Sequence, residues 1–264
     1  MSEQAVKNVL QDFTNSISAH RLWIYMANND IRLRYRGSTL GPIWITLTMI
    51  IFIGALSIVY SRLFNQNIHE YIPFLTCGIL IWTYISSIIH ESSEAFLGSK
   101  EFIEGMKVPY LLFIFRMVSR NILIFLHNFI VYVLVAILFH VPVNLYTLLA
   151  SPGFLLVTAN LTAVSVIISL LGTRFRDLPP IITAMTTVVF FISPVTWQSR
   201  LVGTRSLIVQ LNPVAYLLDL IRAPLMGELP RLNSIYVGLG LMIILWLAAL
   251  AVFSRNSNKI PFWL

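Results

Sequence analysis

The sequence predicts an all-α membrane protein: six transmembrane helices, an N-terminal amphipathic interface helix, and re-entrant helices between spans 5 and 6. Three observations carry that expectation. Hydrophobic residues make up 57% of the 264 and charged ones 11%, with a mean hydropathy of +0.80, a balance foreign to water-soluble domains. Charge-free apolar runs recur at lengths that match the roughly 30 Å of a bilayer's hydrocarbon core at about 1.5 Å per helical residue. Lys and Arg also favour alternate connections, as the positive-inside rule requires. The formal net charge of +7 then reflects topology, and no nucleic acid is needed to explain it. The single cysteine, Cys77, lies in an apolar run and excludes an intramolecular disulfide.

Residues 1–42 carry Lys7, Arg21, Arg32, Arg34 and Arg36 among Phe13, Ile17, Leu22, Trp23, Tyr25 and Met26. This mixture suits a cytoplasmic or interfacial amphipathic segment with Trp23 and Tyr25 at headgroup depth. A short helix packed on the protein itself is the alternative. The first apolar run begins too late and runs too long for a cleavable signal peptide. It spans 43–64 and directly follows Arg32, Arg34 and Arg36, which places the N-terminus inside.

Span 2 covers 71–90 and ends at His90, Glu91 and Glu94. Gly98 to Tyr110 then reads as a short amphipathic helix closed by Pro109. Span 3, 111–139, carries Arg116 and Arg120 on one helical face, where snorkelling towards the interface is expected. From Asn121 to Thr173 there is no Asp, Glu, Lys or Arg, so span 3 and span 4 (148–171) form a hairpin turning at His140 to Asn144. Pro179 and Pro180 restart a helix, and span 5 runs 181–197 with an unwound exit at Pro194. Ser206 to Leu218 is too short to cross and breaks at Asn212-Pro213, the pattern of a re-entrant pair. Span 6, 234–253, closes a 43–253 six-span domain, and 254–264 is a cytoplasmic tail with Arg255 and Lys259.

Counting Lys and Arg supports both termini inside. Inner segments carry five before span 1 and two in each of the other three, whereas the outer ones carry Arg62, none in the 3–4 turn, and four in the 5–6 connection.

No Gly-x-x-x-x-Gly-Lys-Ser/Thr occurs, so this chain offers no phosphate cradle for ATP, and energy comes from a partner or a gradient. The five histidines are scattered and give no metal signature. His127 reads as a packed, hydrogen-bonded residue in preference to a proton relay. Glu91 and Glu94 face Arg116 and Arg120 across one loop, which favours ion pairs fastening a hairpin. Arg34, Tyr35 and Arg36 fit two roles equally: snorkelling cations, or guanidinium groups that bind phosphate in a bidentate way. Aromatic residues in the spans are packing or belt residues, with a minority able to stack on sugar faces.

Asp30-Ile-Arg-Leu-Arg-Tyr-Arg-Gly-Ser-Thr-Leu-Gly-Pro-Ile-Trp44 resembles the opening motif of bacterial ABC-type polysaccharide exporter permeases, the Wzm-like O-antigen permeases. Gly172-Thr-Arg-Phe-Arg-Asp177 is similar to that family's second cytoplasmic loop. Asn212-Pro-Val-Ala-Tyr216, Arg222-Ala-Pro-Leu-Met-Gly227 and the tail Ile260-Pro-Phe-Trp263 also resemble its later segments. Asn29 departs from the pattern, since relatives often carry a basic residue there.

The resemblance implies a homodimer in the bacterial inner membrane, bound to two copies of a cytoplasmic ATPase that holds ATP and Mg. This chain would carry no cofactor and no enzyme activity. The cargo would be a polysaccharide on undecaprenyl diphosphate, passing Arg34, Tyr35 and Arg36 at the substrate doorway, with spans 1 and 5 bordering the pore. ATPase coupling would fall to Glu101, Phe102, Glu104, Met106, Arg174, Phe175, Arg176 and Asp177. Asn212, Pro213, Tyr216, Arg222 and Pro224 would belong to an outer gate. Teichoic acid and capsule exporters share much of this pattern. A membrane-embedded transferase acting on a lipid-linked sugar would need clustered acids or histidines at one depth, and none stands out.

Overall fold

The computed structural model describes residues 3–63, 67–106, 108–199 and 207–264. The N-terminal segment forms α1 (Glu3–Ser18) and α2 (His20–Arg34). Next come α3 (Ile43–Leu63), α4 (Ile68–Ser92), the six-residue α5 (Lys100–Gly105) and α6 (Leu111–Leu138). The second half holds α7 (Ala150–Arg174), α8 (Leu178–Ile192), α9 (Leu207–Gln210) and α10 (Pro213–Leu225). It ends with α11 (Leu232–Asn256) and α12 (Ile260–Trp263). No strand occurs among the described residues.

Among the described residues, five stretches are long and apolar enough to cross a bilayer: Ile43–Tyr60, Ile68–Ser92, Leu111–Leu138, Leu145–Arg174 and Leu232–Trp263. The expected fifth span is shorter than 181–197. With 15 residues, α8 measures about 22 Å. It starts on Pro179 and Pro180, whose missing N–H groups cost nothing in a first turn. It stops at Ile192 because Pro194 drives Ser193 into an extended conformation, ψ 145°.

The hub is α4, which packs against α3, α6, α7, α8 and α10. Its Tyr71, Leu75, Cys77, Ile79, Ile81, Ile85 and Ile88 are all buried. Hydroxyl bridges fasten it to α7, through Tyr84 to Thr158 at 2.9 Å and Ser92 to Ser165 at 2.8 Å. Between α4 and α6 lies an aromatic stack, with Phe125 4.6 Å from Phe154 of α7 and 5.2 Å from Tyr84. Interhelical contact in lipid depends on close approach, because burial from water contributes nothing there. Gly172 of α7 illustrates it: a Cβ at that position would lie 2.0 Å from the Ser93 carbonyl oxygen at the end of α4.

The N-terminal segment is two helices rather than one, and one face of it packs on the protein. Phe13 meets Phe115 of α6 and Trp246 of α11 edge-on, at 6.1 and 5.7 Å. Trp23 donates to the Ser16 carbonyl at 3.1 Å and lies against Phe115. Asp12 caps a neighbour: its two carboxylate oxygens accept from the Tyr110 and Leu111 N–H groups at 3.0 and 3.1 Å. Those are orphan donors of the first turn of α6. Burial pushes the Asp12 carboxyl up, and the two backbone donors pull against that shift.

Other boundaries also move. The helix expected to reach Pro109 ends at Gly105, and Lys107 lies outside the described residues. Span 4 is led in by a 3₁₀ turn, Leu145–Leu149, capped by Asn144. The apolar stretch expected to stop at Leu218 continues to Leu225, although the break at Asn212-Pro213 is where α9 and α10 separate. Ser206 lies outside the described residues. His127 donates from Nδ1 to the Leu123 carbonyl of its own helix at 2.8 Å, in keeping with a packed residue.

Gly172→Ala is expected to lower stability by about 1–3 kcal/mol, because the obstructing atom is backbone and cannot rotate away. Gly54→Ala, where nothing lies within 4 Å of the added carbon, should leave thermal unfolding in detergent unchanged.

Candidate functional site

Charge is concentrated at the end of the bundle where α2 stops, α4 stops and α6 begins. One turn of helix separates Asp30 from Arg34 on α2, and another separates Arg116 from Arg120 on α6, so each pair shares a face. Asp30 is gripped by both arginines of α6. Arg116 donates from Nε to Oδ2 at 2.8 Å and from Nη2 to Oδ1 at 2.5 Å, and Arg120 donates from Nη1 to Oδ2 at 2.8 Å. Glu91 of α4 completes the group, its Oε2 accepting from Arg120 at 2.8 Å and from the Asn121 amide at 2.6 Å.

Those two acids and two arginines sum to zero charge, and their side chains are only 12% to 25% exposed. Snorkelling outward is therefore not what Arg116 and Arg120 do. The hairpin pairing foreseen from sequence is present for Glu91, whereas Glu94 makes no ion pair among the described residues. The largest departure is Asp30, which holds the cluster together and which the sequence reading passed over. Its signal was present: a lone acid four residues before Arg34 in an otherwise basic stretch.

Arg34 stands apart. Its side chain is 49% exposed, and its Nη2 lies 3.7 Å from the Glu91 Oε1, beyond hydrogen-bond reach. Arg32 and Arg36 are exposed, and Tyr35 is half-buried beside them. Gly37, at φ 83°, turns the chain out of α2 towards α3. Geometry thus separates fixed arginines from available ones, which spacing alone could not do.

The eight residues linked to coupling by resemblance all lie exposed at this same end. Phe102 sits under the Arg116 guanidinium, 5.7 Å from Cζ to ring centroid. Arg174 lies between Phe175 and Trp263, at 5.1 and 5.6 Å. Lys100 donates to the Leu264 carbonyl at 2.7 Å, so α12 ties α5 to the end of α7.

At the opposite end, the five residues assigned by resemblance to a gate gather around the broken exit of α8. Asn212 caps α10 by accepting from Val214 N–H at 3.0 Å, and its amide donates to Ser193 at 2.9 Å. Pro213 opens α10 and Pro224 lies in its last turn, while Tyr216 donates to the Gln210 carbonyl at 2.8 Å. Arg222, buried, donates to the Pro194 and Val195 carbonyls at 2.7 and 3.0 Å. Its guanidinium covers the Phe74 ring at 4.1 Å. The side chain thereby satisfies carbonyls that the break in α8 leaves without helical partners. Gly78 of α4 makes room, since a Cβ there would lie 2.2 Å from the Val195 oxygen and 2.3 Å from the Arg222 guanidinium.

A sequence profile described as ABC-2 type transporter matches residues 21–226. The chain belongs to the ABC-2 type transporter family. It is 22% identical over 242 residues to an O-antigen export system permease protein RfbA of Myxococcus xanthus. It is 24% identical over the same length to one of Klebsiella pneumoniae. Both alignments cover 90% of this chain and 93% of the relative. An ABC-2 permease is a membrane protein of several spans, as the apolar helices here require. The profile match includes Asp30, Arg34, Glu91, Arg116, Arg120 and Arg222, and leaves α1, α11 and α12 outside.

Three outcomes follow for this ABC-2 permease. Asp30→Asn strands Arg116, leaves Arg120 with Glu91 alone, and should cost on the order of 3 kcal/mol, read as lost thermal stability in detergent. Asp30→Leu with Arg116→Met leaves the Arg120 to Glu91 pair balanced and should recover most of that loss. Gly78→Ala should likewise destabilise the protein by about 1–3 kcal/mol, with new proteolytic cleavage near Pro194 reporting the displaced α8 exit.

Proposed function

We propose that the protein is the membrane-spanning subunit of an ATP-driven exporter that moves a polysaccharide linked to a lipid diphosphate, O-antigen foremost, across the bacterial inner membrane. Family membership and the relatives' role in O-antigen export support the class of cargo. The observation that carries the reading is the exposed Arg34 beside a cluster already neutral without it. A diphosphate at the headgroup level offers oxygens that a guanidinium binds in a bidentate way. Arg34 can turn to meet it without breaking any hydrogen bond, whereas Arg116 and Arg120 cannot. Arg36 and the Tyr35 hydroxyl lie within the same turn of chain.

In this reading six spans cross the membrane with both termini cytoplasmic, α8 and the extended chain after it serving as the fifth. The segments 1–42, 43–253 and 254–264 are the interfacial segment, permease domain and tail. Two copies form a homodimer, and each meets one copy of a separate ATPase that binds ATP and Mg. Glu101, Phe102, Glu104 and Met106 with Arg174, Phe175, Arg176 and Asp177 form the surface that receives ATPase motion. Their exposure at the end that bears the doorway supports this, and α12 links the two segments mechanically. Asn212, Pro213, Tyr216, Arg222 and Pro224 form the outer gate, with α9 and α10 as re-entrant helices.

Replacing Arg34 and Arg36 together by Gln is expected to cut surface polysaccharide at least about tenfold, the scale of one lost charge-assisted contact, with membrane abundance unchanged. Undiminished surface polysaccharide at equal abundance would refute the doorway role.

A further inference from the structure

A cavity of about 660 Å³ lies at the end of the bundle remote from Asp30, between the start of α4, the turn after α6, α10 and the start of α11. Glu70 on its wall and Glu91 in the ionic cluster are 21 residues apart on one helix, roughly 31 Å along its axis. The volume falls in the roughly 300–1,000 Å³ range of small-ligand sites. Nothing in the doorway or coupling roles uses it.

The wall is chemically mixed. Glu70 and Glu228 are exposed to the cavity side of their turns and make no ion pair among the described residues. Asp219 accepts at Oδ2 from Arg231 N–H at 3.0 Å and from Ser234 Oγ at 2.6 Å, and its Oδ1 has no partner among the described residues. Arg222 also lines the cavity, its Nη1 and Nη2 held by the Pro194 and Val195 carbonyls, and the exposed Arg231 lines it as well. Rings of Phe139 and Tyr216 supply flat apolar surface. His140, beside them, is held at φ 54° in the left-handed region, where a non-glycine residue is uncommon and where strain gathers at ligand sites.

Elimination narrows the ligand. Three carboxylates against two arginines oppose an anion. No group of three His, Cys, Asp or Glu among the described residues could hold a metal ion. An apolar guest would bury carboxylates and a guanidinium nitrogen without partners, at a cost of several kcal/mol. A sugar hydroxyl donates to a carboxylate and accepts from a guanidinium at once, and its ring's CH face lies well on an aromatic ring.

We propose that this cavity is a saccharide-binding site within a single chain, taking a neutral or amino-bearing di- or trisaccharide. Glu70, Asp219 and Glu228 accept from its hydroxyls, the Arg231 guanidinium donates to it, and Tyr216 and Phe139 stack on it. The origin of the saccharide rests on the export reading, in which this is the side where the glycan emerges; the chemistry of the wall does not.

The test uses the full-length protein, co-purified with its partner into lipid nanodiscs. Saturation-transfer NMR would be run with maltotriose, N,N′-diacetylchitobiose, and short oligosaccharides released by mild acid from the producing cells' surface glycan. At least one should bind saturably, Glu70→Gln with Glu228→Gln should weaken it at least about tenfold, and Tyr216→Leu should do so independently. Arg34→Gln should not change it. No binding by any probe, binding indifferent to both variants, or binding of spermidine alone would overturn the proposal. Saccharide binding in a protein whose Arg34→Gln, Arg36→Gln variant still exports normally overturns the doorway reading and leaves this one standing. Lost export without saccharide binding does the reverse.

Discussion

The carboxylate of Asp30 holds the structure's most consequential contact. It lies on α2 and meets two guanidinium groups on the facing α6. Glu91 extends the contact to α4, so three helices converge on one set of charges. Removing charges from water is costly, and the geometry must be close to ideal to offset it. The bidentate grip of Arg116 provides that geometry. Because the inner four groups already balance, Arg34 is surplus, an exposed cation 3.7 Å from the nearest Glu91 oxygen, and in the proposed export reading it is the one an anionic substrate meets.

The far end solves a different problem by a different route. There the difficulty is backbone, since Pro194 ends α8 early and leaves carbonyls unsatisfied in an apolar setting. One buried arginine satisfies two of them, and a missing side chain at Gly78 admits both the carbonyl and the guanidinium. The same arginine lies in a cavity wall. Ions meet ions at one end and peptide groups at the other, which in the proposed export reading suits a firm joint near the doorway and a reshapeable one near the exit.

Much of the architecture was legible in the sequence because hydropathy is additive along a chain. The runs at 43–64, 71–90, 111–139, 148–171 and 234–253 became α3, α4, α6, α7 and α11 with shifted ends. The shift at 181–197 came from Pro194, whose effect on the preceding residue outweighed the apolar run. Function was legible as composition but not as contact. Spacing put Arg116 and Arg120 on one face; it could not say that the face met Asp30, 86 residues away. Nor could it separate Arg34 from its neighbours, because exposure is set by tertiary packing. Asp12 capping α6 across 98 residues and the cavity at Glu70 are of the same kind.

The brevity of α8 reaches beyond the chain. Its outward face, Ile181, Met185, Val188 and Phe191, is strongly apolar and exposed, yet the helix is about 8 Å shorter than the roughly 30 Å hydrocarbon layer. In the six-span reading, acyl chains beside it compress or tilt, at a fraction of a kcal/mol for every ångström of mismatch. A proteinaceous neighbour incurs no such thickness strain, so that reading makes this flank the natural place for a second protein surface.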